Sequence, residues 1–542
     1  MIKKIKDFIH KHKNLEKMIF SFWAVFWILR ARIIFKRIKK NNQKINFKVV
    51  ILAVRSIPTT NFVYFDAVFG HAFEKLGASV KMLYCDGLLD SCDADIVFRG
   101  QDPQCFICQK FGPLVKKSLN LDCASYNQYI SFSEMEEIKK ISENIDISEA
   151  SSLRYLGVDV GKQARASAIR YFLFGKLNLE DENEIRVFRK KLFYAMVMTK
   201  IAENFRTMEK PDAVFMLHGI YSSWGPFYEY FRTKGIDTII YGGMTPRIGY
   251  FMFNRNDETN AIVSKKEWSR LRDIPLDKDQ QREIRDYLDK RIKGKTGDQM
   301  MYRSNFDNGN KKDLDFKGYK RRYVMYPNLA WDAAIKGQIS DIFEDVFEWL
   351  DNTIDFFKNK KDYQLIIKPH PAELVFEGSS RSIAEYIKEK HKDLPENIIV
   401  LSADAPYSAY DFFDNKTISL TFNGSVGFES AALGYPALVV AQAHYKDADV
   451  VYDIKTKDEY FNLIDNPQKI ISFAENNIEI AEKYAYFYFI KSVVRVPFYD
   501  DKKWAKICWN KIFNHKELFS DKSDLMKICR RIINREDIFN PL

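Results

Sequence analysis

Short apolar runs, ended by Pro, Gly or Asn and separated by stretches of helical spacing, recur along most of this chain. Leu365, Ile366 and Ile367 form one such run, which suits a strand buried on both faces. Pro369 and Pro371 stop it, because neither can donate to a ladder, and this places His370 at the strand's carboxyl end. Ile418–Phe422 is a second strand of the same kind, closed by the breaker pair Asn423-Gly424. Ser425 then stands where a helix N-cap belongs. Tyr323–Tyr326, Ile398–Leu401 and Ala437–Val440 complete a doubly wound pattern, while Ile339, Phe343, Val346, Phe347, Leu350 and Ile354 recur at helical spacing and read as core.

The first half repeats the pattern. Strands are predicted at Phe47–Val54, Val80–Cys85, Ala213–Leu217 and Thr238–Tyr241, with helices at Phe69–Gly77 and Asn183–Phe205. Such alternation implies an α/β fold with mainly parallel sheets. Two α/β domains are expected, at 46–262 and 320–464. A charged linker, 263–319, joins them, and a mostly helical tail, 465–542, packs back across both.

Residues 1–45 differ in kind. Phe20, Phe22, Trp23, Phe26, Trp27 and Ile28 are preceded by Lys3, Lys4, Lys6, Lys11, Lys13 and Lys17 and followed by Lys39 and Lys40. A basic, aromatic-rich amphipathic helix of this type lies in the headgroup region of an anionic leaflet or packs on the protein's own surface. The apolar run Met18–Leu29 is too short to span a bilayer and lacks a small-residue cleavage site.

With 542 residues, 46% hydrophobic and 15% aromatic, the chain has ample core for two large domains. Its formal charge of +11 calls for an anionic partner. No zinc finger, RNP or other nucleic-acid signature accompanies it, so a phosphorylated substrate and an acidic lipid surface are favoured over nucleic acid. Seven cysteines in so long a chain argue for a reducing compartment, cytoplasmic and at the inner face of the membrane. Four of them, Cys85, Cys92, Cys105 and Cys108, are spaced suggestively. A structural thiolate zinc site and unligated buried thiols are the two readings of that spacing.

Candidate chemistry gathers at strand tips. Gly427 would let a ligand approach the backbone, and Glu429, one turn after Ser425, could accept bonds from ribose hydroxyls. His444 follows the last strand and could close over a ligand. His218, at the end of Ala213–Leu217, faces the ligand crevice of an open α/β sheet and is a candidate base. Arg154–Leu177 sets Arg154, Arg165 and Arg170 among glycines around one acid, Asp159, as a cleft lining or as a solvated helical face.

These motifs together resemble the bacterial capsule polysaccharide biosynthesis glycosyltransferases, the group that includes the Kdo-transferring capsule enzymes. The resemblance rests on Lys368-Pro-His-Pro371, on Ser425-Val-Gly-Phe-Glu429 with Gly434-Tyr-Pro436, and on Pro327-Asn328 before Trp331-Asp332. It implies a GT-B fold: two Rossmann-like domains facing across a cleft, with a nucleotide-sugar donor on the C-terminal one. It assigns His370 to donor phosphate, and Ser425 and Glu429 to phosphate and ribose; Lys368 and Asn423, beside them in sequence, are further donor-binding candidates. It also implies no catalytic metal, and the Asp-x-Asp pair at Asp93 and Asp95 lies in the other domain. The expected reaction moves a sugar onto a lipid-linked or polysaccharide acceptor at the cell envelope. His218 would act as base if the configuration inverts, and Asp159 as nucleophile if it is retained. A polyol-phosphate transferase using a CDP-linked donor and a non-catalytic export scaffold are the rival readings.

Overall fold

A computed structural model describes residues 13–57, 62–89, 92–93, 105–242, 249–256, 263, 265–296, 314, 318–332, 340–374, 382–500 and 507–538. The leading lysines Lys3 to Lys11, Asp95 and the polar loop 305–312 lie outside them. Helix α1 (Lys13–Lys36) precedes an α/β unit built from β1 (Lys48–Val54), α2 (Phe62–Lys75), β2 (Ser79–Tyr84), α3 (Cys105–Leu119), β3 (Asp122–Ser125), α4 (Phe132–Asn144), α5 (Val160–Phe172), α6 (Glu182–Glu209), β4 (Ala213–Met216), α7 (Tyr221–Thr233), β5 (Asp237–Gly242) and β6 (Tyr250–Arg255). The second unit contains α8 (Lys278–Ile292), β7 (Arg321–Tyr326), α9 (Val346–Lys358), β8 (Tyr363–Ile367), β9 (Ile398–Val400), β10 (Thr417–Thr421), α10 (Val426–Ala432), β11 (Ala437–Val439) and β12 (Tyr452–Asp453). The chain then returns through α11 (Gln468–Tyr486), β13 (Val493–Arg495) and α12 (Asp524–Ile533).

The first sheet runs β13-β6-β5-β4-β1-β2-β3, parallel from β5 to β3, with β6 antiparallel to both of its neighbours, β5 and β13, at one end. The second, β12-β11-β10-β7-β8-β9, is parallel throughout. Strand β1 explains the apolar run that predicted it: Val49, Ile51 and Ala53 enter the core under α1, α2 and α3, and Val50, Leu52 and Val54 enter the core under α5, α6 and α7. Both faces are covered, so every position from Val49 to Val54 is apolar.

Two departures from expectation have clear causes. The stretch 278–292 is not linker. Its helix buries Ile284, Leu288 and Arg291 against the second domain and packs on α11. A 15-residue helix with three inward positions reads as charged because its other faces are solvated. The strands β3, β6 and β13 carried no usable sequence signal. β3 spans four residues, and β13 joins a sheet more than 230 residues upstream, pairing Val493 with Met252.

The two sheets present their carboxyl edges to each other. Tyr221, just past β4, donates to Asp332, just past β7, at 3.1 Å. Phe174, after α5, packs on Phe347 with ring centroids 4.8 Å apart, and Trp331 is buried in the first domain's core. Two Rossmann-like sheets facing edge to edge are the GT-B arrangement that the resemblance implied.

Helix α5 reaches this boundary because it crosses the chain at Gly161, whose N–H donates to Leu153 O at 3.0 Å. A Cβ there would lie 2.2 Å from the Ala150 carbonyl oxygen. Backbone cannot step aside as a side chain can, so Gly161→Ala should cost about 1–3 kcal/mol. A lower urea midpoint with an unchanged m-value is the expected result.

Candidate active site between the two domains

Parallel strands put their following loops on one edge, and each loop here brings its chemistry to the crevice between the domains. From the second domain, the loop after β7 carries Asn328, in the left-handed region at φ 65°, which asparagine tolerates. Its side-chain amide donates to Asn423 Oδ1 at 2.7 Å and ties this loop to the one after β10. The loop after β8 continues the ladder by one bond, Lys368 N to Met325 O at 2.9 Å, before Pro369 ends it.

His370 accepts the Ala372 amide on Nδ1 at 3.1 Å, so the neutral ring carries its proton on Nε2. Burial, with the Lys368 charge beside it, pushes His370 down to about 4. Burial brings Lys368 itself down to about 8, against the opposing charges of Asp411 and Glu373. The same loop ends at Glu373, which burial raises to about 7 and which accepts the Ile383 amide at 3.2 Å. Leu173 and Phe174 of the first domain and Ala330, Trp331, Glu373 and Ile383 of the second line a narrow crevice beside these groups.

From the first domain, His218 follows β4 and is lowered to about 4 by burial, then by Arg170, with Asp332 opposing. Its ring lies 5.4 Å from that of Trp224, and the Arg55 guanidinium also lies 5.4 Å from the Trp224 ring. Tyr221 is fully buried and holds φ 71°, a strained value for an aromatic residue, while its hydroxyl reaches Asp332. The Arg170 guanidinium sits 4.6 Å over the Tyr221 ring, near Asp332 and Asp93. Asp93 accepts the Ser223 amide at 3.0 Å. Burial raises its pKa, but Lys191 and the Ser167 and Ser223 hydroxyls outweigh that and hold it below the usual carboxylate range.

Lys368, His370, Asn423 and Ser425 therefore stand on one edge of the second sheet, and His218 faces them from the first. Ser425 occupies the N-cap position in αR geometry, and its hydroxyl does not cap α10. Several expected roles change. Glu429 is not turned toward ribose. It is buried in a two-pronged pair with Arg291, whose Nε and Nη2 each lie 3.0 Å from it, and it also accepts from the Tyr410 hydroxyl. Gly427 makes room for protein rather than ligand, since a Cβ would lie 2.3 Å from Tyr445 Oη. That hydroxyl donates to Gly424 O at 2.5 Å.

His444 is not a mobile cover. It stacks on Tyr488 at 4.8 Å, bonds the Tyr484 hydroxyl at 2.9 Å, and burial lowers it to about 3. Asp159 pairs with Arg154 and Lys162 at the start of α5. Eleven residues separate it from Arg170, about 16 Å of helix. The four cysteines do gather, lining one small cavity with Arg55 and Leu89. Among the described residues, however, no group of three or more His, Cys, Asp or Glu stands where it could hold a metal ion, so the zinc reading finds no site. Burial raises Cys85 and Cys108, which suits inert thiols.

Sequence reasoning passed over Tyr221, Arg170 and Asp332 as a set. The available signal was the aromatic residue three positions after His218 and the acid closing Trp331-Asp332.

Residues 278–481 match the family described as capsule polysaccharide biosynthesis protein. Over these residues, a little over a third of the chain, the protein is similar to that family. The matched span opens at the first residue of α8, the helix that supplies Arg291 to Glu429. No curated protein matches the chain. Similar solved structures include Thermosulfurimonas dismutans KpsC, a beta Kdo 2,4 transferase, at 12% identity and TM-score 0.32, covering 51% of this chain and 80% of that one. The S. aureus MnaA–UDP structure has 13% identity and TM-score 0.26, over 81% and 94%. The glycosyltransferase SnogD from Streptomyces nogalater has 10% identity and TM-score 0.24, over 82% and 96%. Overlaps this low carry no weight for the function of this chain.

Because Glu429 and Arg291 are both buried, removing one partner strands a charge. Glu429→Ala should cost about 3–5 kcal/mol in denaturant unfolding, and the paired replacement Arg291→Met with Glu429→Leu should cost clearly less.

Proposed function

We propose that the crevice transfers a sugar from a nucleotide-sugar donor to a growing, lipid-linked or polysaccharide acceptor of the cell envelope, with the enzyme held peripherally at the inner face of the membrane. The observation that carries this reading is the meeting of cationic and imidazole groups from two facing sheet edges, within a chain whose second half matches a capsule polysaccharide biosynthesis family. A leaving nucleotide diphosphate accumulates negative charge as the glycosidic bond breaks. Lys368 and the Nε2–H of His370 would receive that charge from the donor side, with Arg170 opposite. Asn328 and Asn423, already bonded to each other, would hold the donor loop in place.

His218 is neutral at pH 7 and so is able to take a proton from an acceptor hydroxyl. Where a carboxylate is needed as nucleophile, Asp332 replaces Asp159 in our reading. It stands at the crevice, and Tyr221 holds one of its oxygens. The same contact would fix Asp332 for either role and would make Tyr221 a positioning residue.

The decisive experiment is a donor screen on the purified chain with CMP-, UDP- and GDP-linked sugars and CDP-glycerol, read by product mass. One nucleotide sugar should be consumed. His370→Ala and Asp332→Asn should each lower transfer by at least about a hundredfold in a folded protein. Near-normal transfer in both variants sinks this site, and turnover of CDP-glycerol alone replaces sugar transfer with polyol-phosphate transfer.

A pH profile tests Lys368 separately. Its ammonium is lost as pH rises through about 8, so donor KM should climb above that pH. In Lys368→Arg the guanidinium stays charged, and the climb should vanish.

A further inference from the structure

Helix α1 has two apolar faces, and only one of them is used. Ala24, Ile28, Ala31 and Phe35, four or three residues apart, are buried in the first domain's core, as is Ile38 just past the helix end. The opposite side of the same helix carries Phe22, Phe26, Leu29 and Ile33, again at steps of three and four, so they form a single stripe. Phe22 is 69% exposed, Leu29 52% and Ile33 61%. Trp23 and Val25 widen the stripe and are exposed as well. A row of large apolar side chains held out in water by a helix anchored from behind is a surface made for a partner.

The charges around the stripe decide the partner. By helical geometry, Arg32 and Lys36 run along one edge and Arg30 and Arg37 along the other. Arg30 lies against the Trp27 and Trp509 rings, at 5.6 and 5.5 Å, and Arg37 over Phe513 at 4.3 Å, so both are held in place. No acidic residue occurs between Glu16 and Asp66. The first 48 residues carry fourteen Lys and Arg against Asp7 and Glu16, which accounts for the whole formal charge of +11. A second copy of the chain would bring cationic edges against cationic edges. An anionic bilayer surface answers both features, with acyl chains for the stripe and headgroups for its edges.

We propose that the outer face of α1 docks the protein on an anionic lipid leaflet, with Phe22, Phe26, Leu29 and Ile33 entering the headgroup boundary and Arg32 and Lys36 meeting lipid phosphates. Among the described residues no helix is long and apolar enough to cross a membrane, which agrees with a helix lying flat, about 36 Å along the surface. Phe20 packs on Phe111 of α3, while the Asn120 amide bonds Phe35 O. The two helices therefore run the same way. Helix α3 starts at Cys105, beside Arg55 at the carboxyl edge of the first sheet, so the amino end of α1 points toward the crevice. A lipid-linked acceptor would then approach from the docked side. Only this purpose rests on the transfer reading; the docking face stands on its own residues.

The test uses the full chain and vesicles of phosphatidylcholine with or without phosphatidylglycerol, read by co-sedimentation. Binding should require phosphatidylglycerol. The bound fraction should fall at least tenfold in Phe22→Ser/Leu29→Ser/Ile33→Ser, and clearly in Arg32→Gln/Lys36→Gln. All five positions are exposed, so circular dichroism and the thermal shift produced by donor nucleotides should not change, which keeps failure of docking separate from failure of the donor site. Equal binding by the triple variant overturns the proposal, as does equal binding to pure phosphatidylcholine. A wild-type dimer that the triple variant dissolves, without vesicle binding, overturns it in favour of self-association.

Discussion

A parallel strand must hand its chain to a crossover at its carboxyl end, and this constraint governs where the chemistry of this protein sits. Both sheets obey it, so the loops after β4, β7, β8 and β10 all emerge on facing edges. The bond from Tyr221 to Asp332 marks where the edges meet. Around it the two halves contribute unlike groups: imidazole and guanidinium from one, ammonium and imidazole from the other. Neither half holds the full set, so the crevice exists only while the domains stay together. Phe174 on Phe347, and Trp331 inside the first domain's core, supply the apolar contact that keeps them so.

Behind the crevice loops of the second domain lies a second layer that sets their positions. The Arg291–Glu429 pair is sealed under the Phe489 ring and locks α8 to α10. Tyr445 fills the space that Gly427 leaves, and its hydroxyl holds the Gly424 carbonyl. His444 and Tyr488 stack to close the rear. The signature Ser425-Val-Gly-Phe-Glu429 is thus mostly a packing motif. Of its positions, Ser425 alone presents a polar side chain at the edge, while Gly427, Phe428 and Glu429 face inward.

The periodic features were legible in advance. Runs such as Leu365–Ile367 and Val49–Val54 are apolar at every position because both faces are covered, and few other environments produce that pattern. Breakers such as Pro369, Pro371 and Asn423-Gly424 then mark the carboxyl edge, which is enough to place Lys368, His370 and His218 near a crevice. Asp159 was misjudged because spacing along a helix does not say which end meets the other domain. Glu429 was misjudged because its partner Arg291 lies 138 residues away, on a helix whose charged surface resembled a linker.

What the sequence determined by itself was local: which residues form strands, where each strand stops, and that the amino-terminal helix is cationic and aromatic. These follow from the intrinsic limits of Pro and Gly and from the period of apolar positions, and both act within a few residues. Tertiary structure alone decided pairing and direction. It turned Glu429 inward and Tyr221 across the boundary, and it left one face of α1 in water while burying the other. Such outcomes depend on contacts between segments far apart in the chain, where burial and charge are set by whatever happens to pack alongside.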